Sequence, residues 1–391
     1  TNNFLTGTLP SSIDKMLKLN YFTINSNLFT NTIPNSITKL INLLNFNGEY
    51  NAFSGEIPAN IGDMQHITYL QIGYNNLDGT LPSNIGSCVS LNDLYLENCY
   101  LYGSLPSSIG QLSNLKNLYI NNNQFTSQIP ESIGNVTLLR RMYLNQNHFN
   151  GSIPDSIGNM NNMIEIYLHN NKLSKNLPVS IGQLTQLYRL SMSHNHITGP
   201  LPDSLGFLRR LQMLYLDHNK FSKSLPTNID ELSSLNEVFL NNNHFTGPLP
   251  LIIGKLSSLE ILYMNHNKFT GQIPSQTAML AGLEYLYINT NKLTGTVLSE
   301  VTSMISLKSL YVDNNDFIGT IPTIFGSQLR TFNIAFNSVT GSIPITIGNY
   351  SELHYFNMST TLIGVYGGYW VYVCMGGGIC MYVYVFVLYI T

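Results

Sequence analysis

A fixed 24-residue spacing of proline constrains this chain more than any other feature of its sequence. The series begins with Pro10, Pro34 and Pro58 and continues to Pro322, with one omission at Leu298. Periods of roughly 20 to 50 residues are typical of solenoids, in which each repeat is one supersecondary unit that buries its apolar face against its neighbours. The spacing therefore predicts one elongated domain with a single long surface, and it excludes most enzyme folds.

Each repeat contains the pattern Leu-x-x-Leu-x-Leu-x-x-Asn/Cys-x-Leu, for example from Leu91 to Leu101. The Leu-x-Leu step alternates with a period of two, so it predicts a short strand with its leucines inward and its middle residue outward. The position after the strand is Asn in every repeat except one, where it is Cys99. We expect this buried amide to satisfy backbone groups at the point where the chain leaves the strand.

A turn follows the strand, and most repeats place a glycine three residues before the proline. This glycine predicts a backbone position with positive φ. Asn31 can tolerate that conformation, whereas Ser127, Lys175 and Lys223 at the same position predict local strain or a changed turn. The Ile-Gly-x-Leu stretch after the proline is too short for an α-helix, so the opposite side of the solenoid is predicted to be 3₁₀ or irregular.

The string N-x-L-x-G-x-I-P-x-x-I-G-x-L, seen from Asn243 to Pro250 and from Ile85 to Leu91, resembles the plant-type leucine-rich repeat. That repeat occurs in ectodomains of receptor-like kinases, in receptor-like proteins and in polygalacturonase-inhibitor-like proteins. The resemblance implies an α/β solenoid: a right-handed superhelix with a parallel β-sheet on its concave face and 3₁₀ or irregular structure on its convex side. Three features of that family are missing from the sequence: paired-cysteine caps, a signal peptide and a kinase region. Because the chain begins inside a repeat, at Thr1, we expect a fragment whose N-terminal cap lies upstream.

The predicted organisation is a leucine-rich-repeat solenoid over residues 1–361, about fifteen turns, followed by an apolar low-complexity tail over residues 362–391. No charged residue occurs from Leu362 to Ile390. Three interpretations stay open: a transmembrane segment, an apolar capping strand, or read-through into a GTAT tandem repeat, whose codons specify Val, Cys, Met and Tyr.

Composition limits the chemistry that the chain can perform. The 18 Lys and Arg against 21 Asp and Glu give a net charge of −3, which offers no electrostatic footprint for nucleic acid. No catalytic set or phosphate-binding loop stands apart from the repeat pattern, so we predict no enzyme and no cofactor.

Cys88 and Cys99 occupy core positions, which favours buried thiols over a disulfide. His194 and His218 lie on successive turns, but no further ligands stand at zinc-like spacing, so no metal site is predicted.

The outward residue in the middle of each strand is aromatic in nine of ten consecutive repeats. The column reads Tyr95, Tyr119, Tyr143, Tyr167, Ser191, Tyr215, Phe239, Tyr263, Tyr287 and Tyr311. Neighbouring rings should lie about 5 Å apart, within stacking range. Two compatible interpretations are a ladder that stabilises the sheet and a stripe that binds a ligand.

Ser191 interrupts this column. We predict a polar notch there, in which Arg189 and Asp217 orient an extended ligand and set its register. The alternative is ordinary polarity at solvated strand ends.

Asn135, Asn349 and Asn357 are glycosylation sequons, and the first two share a repeat position predicted on the convex side. The sequence as a whole predicts a non-catalytic recognition module, a receptor-like ectodomain fragment at the cell surface or outside the cell, that binds a protein, peptide or glycan along its concave face. We expect no nucleic-acid partner, and a membrane only if the tail is an anchor. The alternatives are an intracellular or structural scaffold in the cytoplasm and an inhibitor of a secreted hydrolase.

Overall fold

The computed structural model describes residues 3–296, 301 and 303–359, together with the backbone of residues 368–375 and 379–386. Its contacts group the chain into two compact units, Thr1–Thr198 and Gly199–Thr391. Short parallel strands and 3₁₀ helices alternate in both units, which confirms the predicted leucine-rich-repeat solenoid. The predicted boundary between residues 361 and 362 lies outside the described residues.

The first unit has two sets of strands and one set of helices. The front strands, which carry the Leu-x-Leu step, pair in parallel and in register: Tyr21–Thr23, Asn45–Asn47, Tyr69–Gln71, Asp93–Tyr95, Asn117–Tyr119, Arg141–Tyr143, Glu165–Tyr167 and Arg189–Ser191. The side strands, which follow the turn, are Thr6–Gly7, Leu28–Asn31, Ala52–Glu56, Asn76–Asp78, Tyr102–Ser104, Gln124–Thr126, Asn150–Gly151, Lys172–Asn176 and His196–Gly199, the last of which ends at the first residue of the second unit. The 3₁₀ helices are Ser11–Lys15, Asn35–Lys39, Ile61–Asp63, Ser83–Ser87, Ser107–Gln111, Glu131–Asn135, Asp155–Asn159 and Val179–Gln183.

The second unit repeats this order. Its front strands are Met213–Tyr215, Glu237–Phe239, Ile261–Tyr263, Tyr285–Tyr287, Ser309–Tyr311, Thr331–Asn333 and Tyr355–Asn357. Its side strands are Lys220–Lys223, His244–Pro248, Lys268–Gly271, Lys292–Thr296, Asp316–Thr320 and Ser338–Thr340. Its 3₁₀ helices are Asp203–Phe207, Ile229–Glu231, Leu251–Lys255, Ser275–Met279 and Ile345–Asn349.

The core lies directly behind the front strands. Leu91, Leu94, Leu96 and Leu101 of one repeat are all 0 % exposed, as the alternation predicts. Phenylalanines add a second internal stack, for example Phe125 and Phe149, whose ring centroids are 6.0 Å apart and nearly parallel. Successive repeats therefore bury the same side chains against each other.

The Asn after each front strand performs the predicted role, and Asn147 is representative. Its Nδ2 donates to the carbonyl oxygens of Leu144 at 3.2 Å and Asn145 at 3.3 Å within its own repeat. It also donates to Ile120 of the preceding repeat at 2.9 Å, while its Oδ1 accepts the backbone N–H of Phe125 at 2.9 Å. One amide thus satisfies backbone groups of two consecutive turns.

The turns match their prediction, including the non-glycine exceptions. Asn31, Ser127, Lys175 and Lys223 have φ values of 62°, 68°, 68° and 71°. Many of the 3₁₀ helices contain an Ile-Gly pair, and Ile109-Gly110 shows a packing reason for it: a Cβ on Gly110 would lie only 2.3 Å from the carbonyl oxygen of Ser132 in the next turn. Glycine therefore allows adjacent helices to approach closely.

The tail contains two antiparallel strands, Gly368–Met375 and Ile379–Phe386. Among the described residues, no helix is both long enough and apolar enough to cross a membrane.

Cys88 and Cys99 are buried free thiols, as predicted. Burial raises the pKa of the Cys88 thiol to about 12 and that of the Cys99 thiol to about 11. Both therefore stay protonated near neutral pH, and they act as packing groups rather than nucleophiles.

Candidate recognition face

The outward residues of the front strands form three parallel columns. In the repeat of Asp93–Tyr95, the first column holds Asp93, the middle column Tyr95 and the third column Glu97, while Leu94 and Leu96 between them are 0 % exposed. Because the strands pair in register, each column continues from repeat to repeat within a unit.

The middle column of the first unit is a continuous row of stacked tyrosines, here called the tyrosine stripe: Tyr95, Tyr119, Tyr143 and Tyr167. Ring centroids lie 4.7 Å apart for the first pair, 4.2 Å for the second and 4.4 Å for the third. The rings are tilted and half-buried, since each covers part of its neighbour. The predicted spacing is confirmed, and the stacking makes the stripe a preorganised surface.

The second unit carries an equivalent row of rings. Centroid distances are 4.8 Å from Tyr215 to Phe239 and again from Phe239 to Tyr263. They are 4.3 Å from Tyr263 to Tyr287 and 4.6 Å from Tyr287 to Tyr311. These five side chains are also half-buried.

The phenol groups of Tyr95, Tyr119 and Tyr143 remain neutral over a wide pH range. Burial is the main cause that raises the pKa values of Tyr95, Tyr119 and Tyr143 above the ordinary tyrosine value. The Tyr143 hydroxyl also donates a hydrogen bond to Glu165. The stripe therefore offers apolar ring area together with hydroxyl groups, a combination typical of recognition surfaces.

Ser191 is buried at the end of this stripe, with 4 % of its surface exposed. Its Oγ lies 3.0 Å from Nδ1 of His169. The Arg189 guanidinium lies 5.7 Å from the ring centroid of Tyr167 and donates to its hydroxyl. The structure thus brings Arg189, Ser191 and His169 together beside the stripe.

Asp217 belongs to the second unit, where it is 8 % exposed and its Oδ2 lies 2.8 Å from His218 Nδ1. The role of Ser191 in setting a ligand register stays a prediction.

Sequence reasoning missed the carboxylates of the third column. Glu49 and Glu97 lie there with Gly73 on the strand between them, and both glutamates are buried. Gln71 donates to Glu49, and Tyr69 donates to Gln71. The period-two alternation that revealed the tyrosines also predicts that the residue two positions later points outward, so this signal was present.

A groove at the edge of the front sheet was also missed. Tyr50 and Tyr74 have φ values of 52° and 51°, and their rings stack with centroids 4.2 Å apart. Burial, together with a hydrogen bond that the Tyr74 hydroxyl donates to Tyr50, raises the pKa of Tyr74 to about 12. The groove encloses about 630 Å³ and is lined by Asn27, Leu28, Tyr50, Asn51, Ala52, Tyr74, Asn75, Asn76, Asn98, Cys99, Tyr100 and Asn122.

Of the three sequon residues named above, two lie on 3₁₀ helices, as predicted for the convex side. Asn135 and Asn349 are exposed at the last residues of the 3₁₀ helices Glu131–Asn135 and Ile345–Asn349. Asn357 instead ends a front strand, and its Oδ1 accepts the backbone N–H of Ser359 at 3.1 Å. Glycosylation at these residues stays a prediction.

The repeats match two family models for leucine-rich repeats. The model described as "Leucine rich repeat" matches residues 162–221, and that described as "Leucine Rich Repeat" matches residues 66–88, 90–112, 114–136, 138–160, 258–280 and 306–327. No curated protein sequence matches the chain significantly.

Solved plant receptors share the fold. The plant peptide hormone receptor RGFR1 in complex with RGF2 is 25% identical over 91% of this chain and 65% of that chain, with a TM-score of 0.75. The PEPR1–AtPEP1 structure is 29% identical over 92% of this chain and 58% of that chain, with a TM-score of 0.79. The Arabidopsis receptor kinase HAESA, in complex with the peptide hormone IDA and the co-receptor SERK1, is 28% identical over 91% of this chain and 68% of that chain, with a TM-score of 0.74.

This chain therefore corresponds to only part of each of these proteins, with 65% of the RGFR1 chain and 58% of the PEPR1 chain covered. The repeated sequence pattern, the parallel front strands and both family models agree. The chain belongs to the leucine-rich-repeat family.

Proposed function

We propose that this chain is a non-catalytic recognition module that binds a peptide or protein along its front strands, as the extracellular part of a receptor-like protein. The tyrosine stripe carries this proposal, because it is half-exposed, rigidly stacked and equipped with hydroxyl groups. Tyrosine gives a large contact area at a small cost in conformational entropy.

The comparisons support the choice of ligand class. RGFR1 was solved with RGF2, and HAESA was solved with a peptide hormone and a co-receptor. This similarity favours a peptide or protein ligand over a glycan, and a receptor-like protein over an intracellular scaffold or an inhibitor of a secreted hydrolase. The extracellular location rests on the same similarity.

The test selects ligands with a random 12-residue peptide library displayed on phage and measures the binding of synthetic copies to the full chain by biolayer interferometry. Tyr119 contacts rings on both sides, at 4.7 Å and 4.2 Å, so Tyr119→Ala should remove the centre of the stripe. We expect it to weaken binding by about 10-fold to 30-fold, the loss typical of an aromatic hot spot.

Tyr102→Ala is the matched control, because Tyr102 is 49% exposed on the side strand Tyr102–Ser104, away from the stripe. Its affinity should equal that of the unmodified chain. If Tyr102→Ala weakens binding while Tyr119→Ala does not, the ligand binds elsewhere and the proposed surface is wrong.

A further inference from the structure

Three carboxylates lie close together on the front face of the first unit, and they are here called the acidic patch: Glu49, Asp93 and Glu97. Asp93 begins the front strand Asp93–Tyr95, and Glu97 lies two residues beyond its end. Glu49 lies two residues beyond the front strand Asn45–Asn47. The strand between these two carries Gly73 in the third column, where no side chain separates the glutamates.

One oxygen of the buried Glu97 carboxylate has no hydrogen-bond partner among the described residues. Glu97 is 8% exposed, and its Oε2 forms no hydrogen bond with any described residue. A Cβ on Gly73 would lie 3.1 Å from this oxygen, so the carboxylate lies over the glycine. Asn121 holds the same column in the next repeat, and its Oδ1 is also buried without a partner. Two buried acceptor oxygens at neighbouring positions therefore lack a hydrogen-bond donor among the described residues.

No lysine or arginine among the described residues forms an ion pair with the acidic patch. Asp93 accepts a hydrogen bond from Asn117 at 2.6 Å, and Glu49 accepts one from Gln71. Burial, reinforced by the charge of Glu49, raises the pKa of Glu97 to about 7. Burial is the main cause that raises the pKa of Tyr69, and the charges of Glu49, Asp93 and Glu97 raise it further. All three carboxylates therefore act on the same tyrosine.

The same face contains two arginine side chains that lie near a carboxylate or a tyrosine ring. Nε of Arg141 lies 3.8 Å from Oε2 of Glu165, and Tyr143 donates to the same carboxylate. Arg189 lies over the ring of Tyr167, 5.7 Å from its centroid. In the first case the guanidinium group lies beside a carboxylate, and in the second it lies over a tyrosine ring. The acidic patch has equivalent rings, since the ring centroids of Tyr69 and Tyr95 lie 5.5 Å apart, but no described lysine or arginine pairs with its carboxylates.

We propose that the acidic patch binds the guanidinium group of an arginine side chain of the ligand. The planar cation would pair with Glu97 and Asn121 and stack against Tyr95 or Tyr69, since arginine combines bidentate hydrogen bonding with stacking on aromatic rings. A Ca²⁺ ion is a poorer match because it takes about six to eight oxygen ligands. This inference rests on the proposed function and assigns the chemistry of one side chain of the bound peptide.

The experiment titrates the full chain with Nα-acetyl-L-arginine amide and with its neutral isostere Nα-acetyl-L-citrulline amide, and it measures affinity by saturation-transfer NMR. We expect the arginine derivative to bind with a Kd in the millimolar range and citrulline to bind at least 10-fold more weakly. Glu97→Gln should weaken arginine binding at least 10-fold, and Glu49→Gln by a smaller factor. Glu56→Gln is the matched control, because Glu56 is exposed on the side strand Ala52–Glu56.

A pH series adds a readout that a purely structural role would not give. Arginine affinity should rise between pH 6 and pH 8 in the unmodified chain, because Glu97 must be ionised, and it should not rise in Glu97→Gln. The titratable groups that interact electrostatically with Glu97 are Glu49, Tyr69, Tyr74, Tyr95, Cys99 and Tyr119. Circular dichroism confirms that each variant is folded.

Equal binding of citrulline, unchanged arginine affinity in Glu97→Gln, or full displacement of arginine by 1 mM Ca²⁺ would overturn the inference. These outcomes are separate from failure of the proposed function, which the Tyr119→Ala and Tyr102→Ala comparison decides. If selected peptides depend on Tyr119 but arginine does not bind, only the arginine site is wrong.

Discussion

At the residue scale, the buried Asn after each front strand connects consecutive turns through hydrogen bonds that no regular strand pairing supplies. Of the four hydrogen bonds of the Asn147 side chain, two lie within its own repeat and two reach the preceding one, and Asn123 makes the equivalent contacts one repeat earlier. Cys99 replaces this amide with a thiol whose Sγ lies 3.8 Å from the carbonyl oxygen of Ile72. A thiol is a weak donor and acceptor, so the backbone groups around Cys99 are less well satisfied.

Cys99→Asn should therefore stabilise the chain. The new amide could donate to Ile72 and accept the backbone N–H of Leu77, and each added hydrogen bond contributes about 0.5–1.5 kcal/mol. We expect the free energy of unfolding, measured in urea, to increase by about 1–2 kcal/mol. Cys88→Asn is the control with the opposite sign: Cys88 is 0% exposed at a leucine-type position, so an amide there would be buried without the same partners. A loss of stability in Cys99→Asn would contradict the role assigned to the Asn that follows the front strands.

Glu97 should make stability depend on pH. Its folded pKa of about 7 lies above the ordinary value of 4.5, so the folded state holds the proton more tightly between these values. Stability should consequently be greatest below about pH 4.5 and decline as pH rises through 7, by roughly 3 kcal/mol from this group alone. Glu97→Gln removes this loss and should unfold at higher urea concentration than the unmodified chain at pH 8, but not at pH 4.5. Equal pH dependence of both proteins would show that Glu97 does not titrate in this range.

At the element scale, the side strand Lys172–Asn176 shows what the repeat pattern predicts about backbone conformation and what it does not. The glycine position before each proline identified the positive φ of Lys175. A second positive-φ position lies directly before the Asn that follows the front strands. The sequence did not reveal it, because it holds Gln146, His194 and other residues but no glycine. Hydrogen bonds to the next repeat hold it, for example from the Gln146 N–H to the His169 carbonyl at 2.9 Å. The conformational free-energy cost of this positive φ is offset by hydrogen bonds to a neighbouring repeat, so the local sequence does not predict it.

Lys175→Gly should stabilise this turn, because a non-glycine residue in the left-handed region costs about 1 kcal/mol. We expect the free energy of unfolding to rise by about 0.5–1 kcal/mol in urea denaturation. Lys172→Gly provides the comparison, since Lys172 is exposed in the same strand without positive φ, and this change should lower stability. The strain argument fails if both substitutions have the same sign.

At the scale of the whole molecule, the period of the prolines was sufficient to predict the class of fold. Each repeat packs against its neighbours, so the register of one repeat determines the register of the next and no long-range topology has to be inferred. The alternation of the strand likewise predicted the rows of rings from Tyr95 to Tyr167 and from Tyr215 to Tyr311. Their outward direction follows from the leucines beside them, which only one face can bury.

The sequence by itself thus determined the repeat, the inward and outward faces of the front strands, and the Asn positions that follow them. These features depend on spacing and on the alternation of apolar side chains. Only the tertiary structure decided which outward side chains have partners. It revealed that Ser191 is buried against His169, and that Glu97 lies over Gly73 without a hydrogen-bond donor for its Oε2. These contacts join residues 22 or more positions apart, and their geometry depends on how closely neighbouring strands and side chains pack, which spacing along the chain does not specify.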